Sequence, residues 1–320
     1  MDVAALLGAL FNVLLVVMIV SSMASAGFST TVDALVSVLK RYWLVLAVLV
    51  VGLVLRPVAG WAIAEVFSLD NAAFIALVLL ACVPGAPLGI KFVLAAKAAV
   101  TTGAALQVML AVIGSFTFAP TANLILQAVN PGEGLELPVW DILKVVVVLQ
   151  VVPFVFGMLI RHWVPDTALD WNKTALKISG PAFLGVFALA ILGSWQMMID
   201  LLGDRAIIAG IVFAIAALIL GYVVSVGDRK TREATGLIQI GSNSGPVFAA
   251  IAIAFNNEPA ILGAAVTMVT IQIIVGGVAG GYFGKNRGGD AQEPADEGDE
   301  PAADGDEGPA EPTEAPAPSA

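Results

Sequence analysis

One cysteine and one histidine in 320 residues leave this chain almost without the side chains that bind transition metals or act as thiol nucleophiles. Zinc and its relatives need clusters of Cys, His and carboxylates, and the sequence has none. Cys82 lies inside an apolar run and has no partner for an intramolecular disulfide. His162 stands beside Arg161 at the end of another run, the place of a surface residue rather than of a ligand or base. HExxH and GxSxG are missing, and no pair of aspartates lies within an apolar run, so the sequence points away from an enzyme. Charge is scarce too: Asp, Glu, Lys and Arg make up 12% of the chain, against about a quarter in soluble domains.

What is present in excess is hydrocarbon. Hydrophobic residues make up 59% of the chain and the mean hydropathy is +0.94. The net charge of −10 conceals two unlike parts, because residues 1–287 hold all 15 basic residues with 14 of the 25 acids, while 288–320 hold the other 11 acids. That tail has no aromatic and no large aliphatic residue, cannot offset chain entropy by burial, and is expected to be disordered and cytoplasmic. A crossing helix needs about 20 apolar residues. On this measure nine spans are expected, near 4–25, 42–64, 72–95, 99–119, 139–160, 176–199, 206–226, 233–255 and 260–283. Ala24-Ser25-Ala26 looks like a signal cleavage site, but Asp2 stands where a basic leader would begin and the run is too long, so the first stretch reads as a true span. The expected fold is therefore all-α and polytopic.

The connections alternate in charge. Lys40, Arg41, Lys97, Arg161, Lys173, Lys177, Arg229, Lys230, Arg232, Lys285 and Arg287 fall on one side, which the positive-inside rule makes cytoplasmic. The opposite side carries Asp70, Glu133, Glu136, Asp200, Asp204 and Glu258. The expected protein is thus an integral component of a plasma or inner membrane, with its N-terminus outside and its C-terminus in the cytoplasm. A polar, Pro/Gly-rich interruption at 120–138 divides it into a first repeat, 1–128, a second, 129–287, and the tail, 288–320.

In each half the penultimate span is broken, at Pro84-Gly85-Ala86-Pro87 and at Gly241-Ser242-Asn243-Ser244-Gly245-Pro246. Proline removes a backbone donor, and the groups so freed must face protein, water or a ligand because lipid cannot satisfy them. Two breaks in spans of opposite direction suggest an inverted repeat whose broken helices cross near the midplane, offering amino ends to an anion and carbonyls to a cation. Polar side chains gather around them: Gln239, Ser242, Asn243 and Ser244 in the eighth span, Thr101, Thr102 and Gln107 in the fourth, Gln150 in the fifth. Gln107 and Gln150 taken singly read equally as cross-helix hydrogen bonds. No acid sits centrally in a span, which leaves a carboxylate proton relay without members. Lys91 is the internal cation; it either snorkels to the cytoplasmic surface or faces the site. Arg56, before Pro57, reads as an outer-end anchor.

Three segments together resemble the bile acid:sodium symporter family over about residues 5–283. They are Phe28 to Arg41 (FSTTVDALVSVLKR), Ala81 to Lys97 (ACVPGAPLGIKFVLAAK, against the family's CCPGG…SN broken helix) and Thr235 to Phe255 (TGLIQIGSNSGPVFAAIAIAF, against its Q-N-S-G broken helix). The resemblance implies a ten-helix fold lacking its first helix, and a carboxylate or sterol-acid substrate carried with sodium. Several sodium-ligand positions differ: the family's Ser-Asn reads Gly89-Ile90, later ligand positions fall on Thr102 and Leu106, a second-span glutamine falls on Gly52, and the bridging glutamate maps to Gln239. Thr102, Gln239 and Asn243 are the candidates for any remaining Na+ site. Without the carboxylate, two neighbouring sodium charges would repel, and the Lys91 ammonium is a candidate substitute for one of them.

The expected activity is secondary active transport of a small organic anion by alternating access, with Pro84, Gly85, Lys91, Thr102, Gln107, Gln239, Ser242, Asn243 and Ser244 as the binding residues. Met109, Phe248 and Phe255 are available to line an amphipathic site. No organic cofactor and no nucleic acid are expected; the partners are the bilayer, the anion and possible coupling Na+. A proton-coupled or uncoupled carrier, and a non-transporting sensor signalling through the tail, are the alternatives.

Overall fold

The structure, a computed structural model, describes residues 3–129, 137–200 and 205–286, and every regular element among them is a helix. The acidic tail, the connection 130–136 and residues 201–204 lie outside the described residues. In chain order the helices are α1 (Val3–Ser29), α2 (Val32–Leu39), α3 (Tyr42–Val50), α4 (Arg56–Val66), α5 (Asn71–Ala81), α6 (Gly89–Ala95), α7 (Val100–Val129), α8 (Val139–Val146), α9 (Val152–Trp163), α10 (Pro165–Asp200), α11 (Arg205–Val224), α12 (Arg229–Ile240), α13 (Ser244–Ala254) and α14 (Pro259–Lys285). Among the described residues, seven continuous stretches are long and apolar enough to cross a membrane, counting α3–α4 and α8–α9 as one each. The spans expected at 72–95 and 233–255 are pairs of shorter helices, α5 with α6 and α12 with α13, separated by the breaks. The chain is therefore a polytopic all-α membrane protein.

Two long spans contain a π-helical turn, Val51–Leu55 between α3 and α4 and Val147–Val151 between α8 and α9. Each lies just before a proline, Pro57 and Pro153. A proline in a helix leaves the carbonyl four residues earlier, Leu53 or Leu149, without its donor and crowds it. Widening to i→i+5 bonding around that carbonyl relieves the crowding without breaking the span. These turns carry Gly52 and Gln150, and both of those residues are buried.

The broken pairs form the interior. Every residue from Ala73 to Ala81 in α5 is buried, as is every residue from Glu233 to Ile240 in α12. A helix that is apolar all round is buried, which is the case of α5; in α12 the buried Glu233, Thr235 and Gln239 are held by hydrogen bonds. The long helices α1, α10, α11 and α14 wrap this interior and turn Leu6, Val13, Leu184, Leu192, Ile219 and Val278 outward, where lipid takes the place of water.

One expectation about a connection needs correction, and another connection holds a helix. The interruption expected from residue 120 begins as helix, because α7 runs through Pro120 to Val129. The Asn123 side chain then clips the returning chain, donating to the Leu137 carbonyl at 2.9 Å and accepting from its N–H at 2.7 Å. The first connection contains the short helix α2. Its helix starts where Thr31 accepts the Ala34 N–H at 3.2 Å, and its Val38 side chain is buried.

Candidate functional site

The two breaks touch. Pro84 and Ser242 form an isolated antiparallel bridge, and the Asn243 N–H donates to the Val83 carbonyl at 2.9 Å. Gly85 makes the approach possible on the first strand: its φ is +88°, and a Cβ there would lie 2.6 Å from the Ala111 nitrogen of α7. A side chain at this position meets both backbone strain and a backbone wall.

Polar side chains complete the crossing from four other elements. The Ser242 N–H donates to Gln272 Oε1 of α14 at 2.9 Å, and Ser242 Oγ donates to the Leu80 carbonyl at 2.7 Å. Asn243 precedes α13 but does not cap it with its side chain; its Nδ2 donates to Gln150 Oε1 at 2.8 Å. Gln239 Nε2 donates to the Val48 carbonyl at 3.0 Å. Arg56, expected at an outer membrane surface, is instead completely buried, with Nη2 donating to Ser242 Oγ at 2.8 Å and its guanidinium carbon 5.3 Å from the Phe213 ring centre. The span expected at 42–64 already runs past Pro57, and the structure keeps it continuous through the π turn, so Arg56 lies within the span rather than at its outer end.

Beside the crossing lies a cavity of about 440 Å³, within the range of small-molecule sites. Lys91, Gln107, Ser242, Asn243, Ser244 and Gln272 supply much of its polar lining. It extends to the side of the basic connections, where Ser29 and Lys91 are exposed. Buried polar atoms without a hydrogen-bond partner surround the crossing: Gln107 Oε1, Gln150 Nε2, Gln239 Oε1 and Gln272 Nε2, with Nε and Nη1 of Arg56. Buried groups of this kind are costly unless something pairs with them.

Of the expected site residues, Lys91, Gln107, Ser242, Asn243 and Ser244 share the cavity. Pro84 and Gly85 build the crossing behind it. Gln239 is buried against α3 and lies outside the cavity lining, and Thr102 stands at the start of α7, accepting a 3.5 Å hydrogen bond from Arg41 Nη1. The lining expectation is corrected as well: Met109 and Phe248 belong to the packed core and Phe255 packs against it, whereas Met18, Met23, Phe92 and Phe183 line the cavity. Sequence reasoning missed Gln272. Its signal was available, a lone amide in an apolar span of the same kind as Gln107 and Gln150.

The buried side-chain oxygens left unengaged at the crossing are those of neutral amides. A hard cation needs several oxygen ligands. Ser242 Oγ is engaged by Arg56 and Leu80, Gln150 Oε1 by Asn243, and Gln272 Oε1 by the Ser242 backbone. Among the described residues the amide oxygens of Gln107 and Gln239 accept no hydrogen bond, the Asn243 side chain bonds only through its Nδ2, and no carboxylate hydrogen-bonds to any of these groups. At Gly52 a Cβ would lie 2.8 Å from Leu110 Cδ2, so no liganding side chain fits there without a shift.

At the other end of α12, Asp228 caps the helix by accepting the Thr231 N–H at 2.9 Å. Hydrogen bonding from Thr231 holds its carboxyl below the usual carboxylate range, burial opposing and Arg41 and Lys230 assisting.

A comparison with curated proteins gives no match. The profile of the sodium bile acid symporter family matches residues 14–201, from within α1 through the first break to the end of α10, and by that match the chain belongs to this family.

Proposed function

We propose that the chain carries a small organic anion, a carboxylate or bile-acid-like molecule, across the membrane by alternating access. The family is one of sodium-coupled organic anion symporters and not of enzymes, and the helices make this member an integral multi-pass membrane protein. The observation that carries the finer reading is the pair of crossed breaks opening on a 440 Å³ cavity. Three features there favour a negative charge: the amino end of α13, lining the cavity at Ser244 and Gly245; the unpartnered Nε2 donor of Gln272, 2% exposed; and the Lys91 ammonium. The Met and Phe side chains opposite suit the apolar part of an amphipathic acid.

In this reading residues 1–128 and 129–287 are inverted repeats. A core of α5–α6, α7, α12–α13 and α14 rocks against a panel of the remaining helices, and the cavity faces the cytoplasm, the side of the basic connections. Uptake into proteoliposomes tests it. Taurocholate and a series of short monocarboxylates should accumulate saturably and compete with one another. Specific binding with no flux for any of them would replace the carrier with a membrane sensor.

A further inference from the structure

The crossing contains a buried cation that neither the cavity nor the family relationship accounts for. Arg56 is wholly buried, does not line the cavity and forms no ion pair among the described residues. A buried guanidinium without a carboxylate needs other negative potential. The helix directions supply it. α5 runs into the crossing and ends at Ala81, and α12 enters from the other side and ends at Ile240, so both present their carbonyl ends there. Helix carboxyl ends carry partial negative charge, and in transporters with broken helices such ends hold the coupling cation.

Ser242 connects Arg56 to both ends. Its hydroxyl accepts from Arg56 Nη2 at 2.8 Å and donates to the Leu80 carbonyl in the last turn of α5 at 2.7 Å, while the residue itself directly follows Gly241, the cap of α12. Phe213 offers its ring face to the same guanidinium at 5.3 Å. One helical turn before Arg56, on the same face, is Gly52, whose missing Cβ would lie 3.3 Å from Pro84 and 3.4 Å from Gln239 Nε2. The helix that supplies no ligand at Gly52 thus supplies a permanent positive charge four residues later.

We propose that Arg56 is the fixed cation of the crossing, held by the Ser242 hydroxyl at the carbonyl ends of α5 and α12 in the position a coupling sodium ion would otherwise take, so that this protein completes its anion site without sodium. The proposal rests on the transporter reading for its meaning, but its test needs no substrate. A sodium ion bound to the folded state alone raises the unfolding temperature. The full-length protein in detergent should therefore unfold at the same temperature in sodium and in potassium chloride at equal ionic strength. Arg56→Gln removes the charge and should lower that temperature by several degrees, with sodium recovering part of the loss and potassium none. Arg56→Lys should keep the indifference to sodium.

A sodium-specific rise in the wild-type protein overturns the proposal, as does an Arg56→Gln protein destabilised equally in both salts, which would make the guanidinium a packing element only. Should Arg56→Gln fail to fold, the wild-type and Arg56→Lys comparisons decide it. Failure of the transporter reading would appear elsewhere, as absent flux in liposomes with the ion indifference intact.

Discussion

Arg56 and Lys91 are both cations within a few residues of a proline, yet their surroundings are opposite. Arg56 is sealed in the core against a serine hydroxyl and an aromatic ring, while Lys91 is exposed in a cavity with room for a ligand. The difference teaches how a membrane helix can use one kind of charge for two ends. A sealed charge acts on the fixed dipoles around it in a medium of low dielectric, and losing its partner is expensive. A solvated charge is free to release its water to an arriving anion and contributes little to folding.

The comparison is broken most severely at Ser242. Ser242→Ala removes the hydroxyl that Arg56 and Leu80 share and leaves the guanidinium with no hydrogen bond; a loss of about 3 kcal/mol is expected for a charged buried donor, read by thermal unfolding in detergent. Gly85→Ala strikes the neighbouring strand without touching either cation. Its positive φ and the Ala111 backbone predict a cost of about 2 kcal/mol, with unfolding lowered in every salt alike. Lys91→Met tests the solvated end: the unfolding temperature of the free protein should stay the same while anion affinity falls about tenfold, measured by ligand-induced thermal stabilisation.

The smallest effect lies furthest from the crossing. Asp228→Ala should cost about 1 kcal/mol through the lost cap of α12. Because the folded carboxyl titrates below its usual range, its contribution is complete above the ordinary carboxylate pKa and disappears as pH falls through the depressed value. Acid unfolding of the wild-type and Asp228→Ala proteins should therefore converge at the lowest pH.

The sequence made some of this architecture legible and hid the rest for identifiable reasons. Hydropathy exposes the spans because lipid tolerates so few alternatives, and the breaks show because Pro84, Pro87, Gly241 and Pro246 cannot continue a helix unaided. Periodicity is silent about π turns: Val51–Leu55 and Val147–Val151 are as apolar as the α-helix around them. A charge beside a proline reads as an anchor, and only the contact with Ser242 shows Arg56 sealed within its span. Thr102 and Gln239 were grouped by the family resemblance, but Arg41 holds one and the Val48 carbonyl the other. Hydrogen bonds between distant residues, such as Asn243 with Gln150, have no local signature at all.

The bridge at the centre pairs Pro84 with Ser242, and the Asn243 N–H donates to the Val83 carbonyl beside it. In an antiparallel pair of this register the ladder bonds belong to the flanking residues, so Pro84 faces Ser242 without needing the N–H it lacks. A proline can therefore follow the end of α5 and still lie in the contact between the two broken helices, one residue serving as both helix stop and seam.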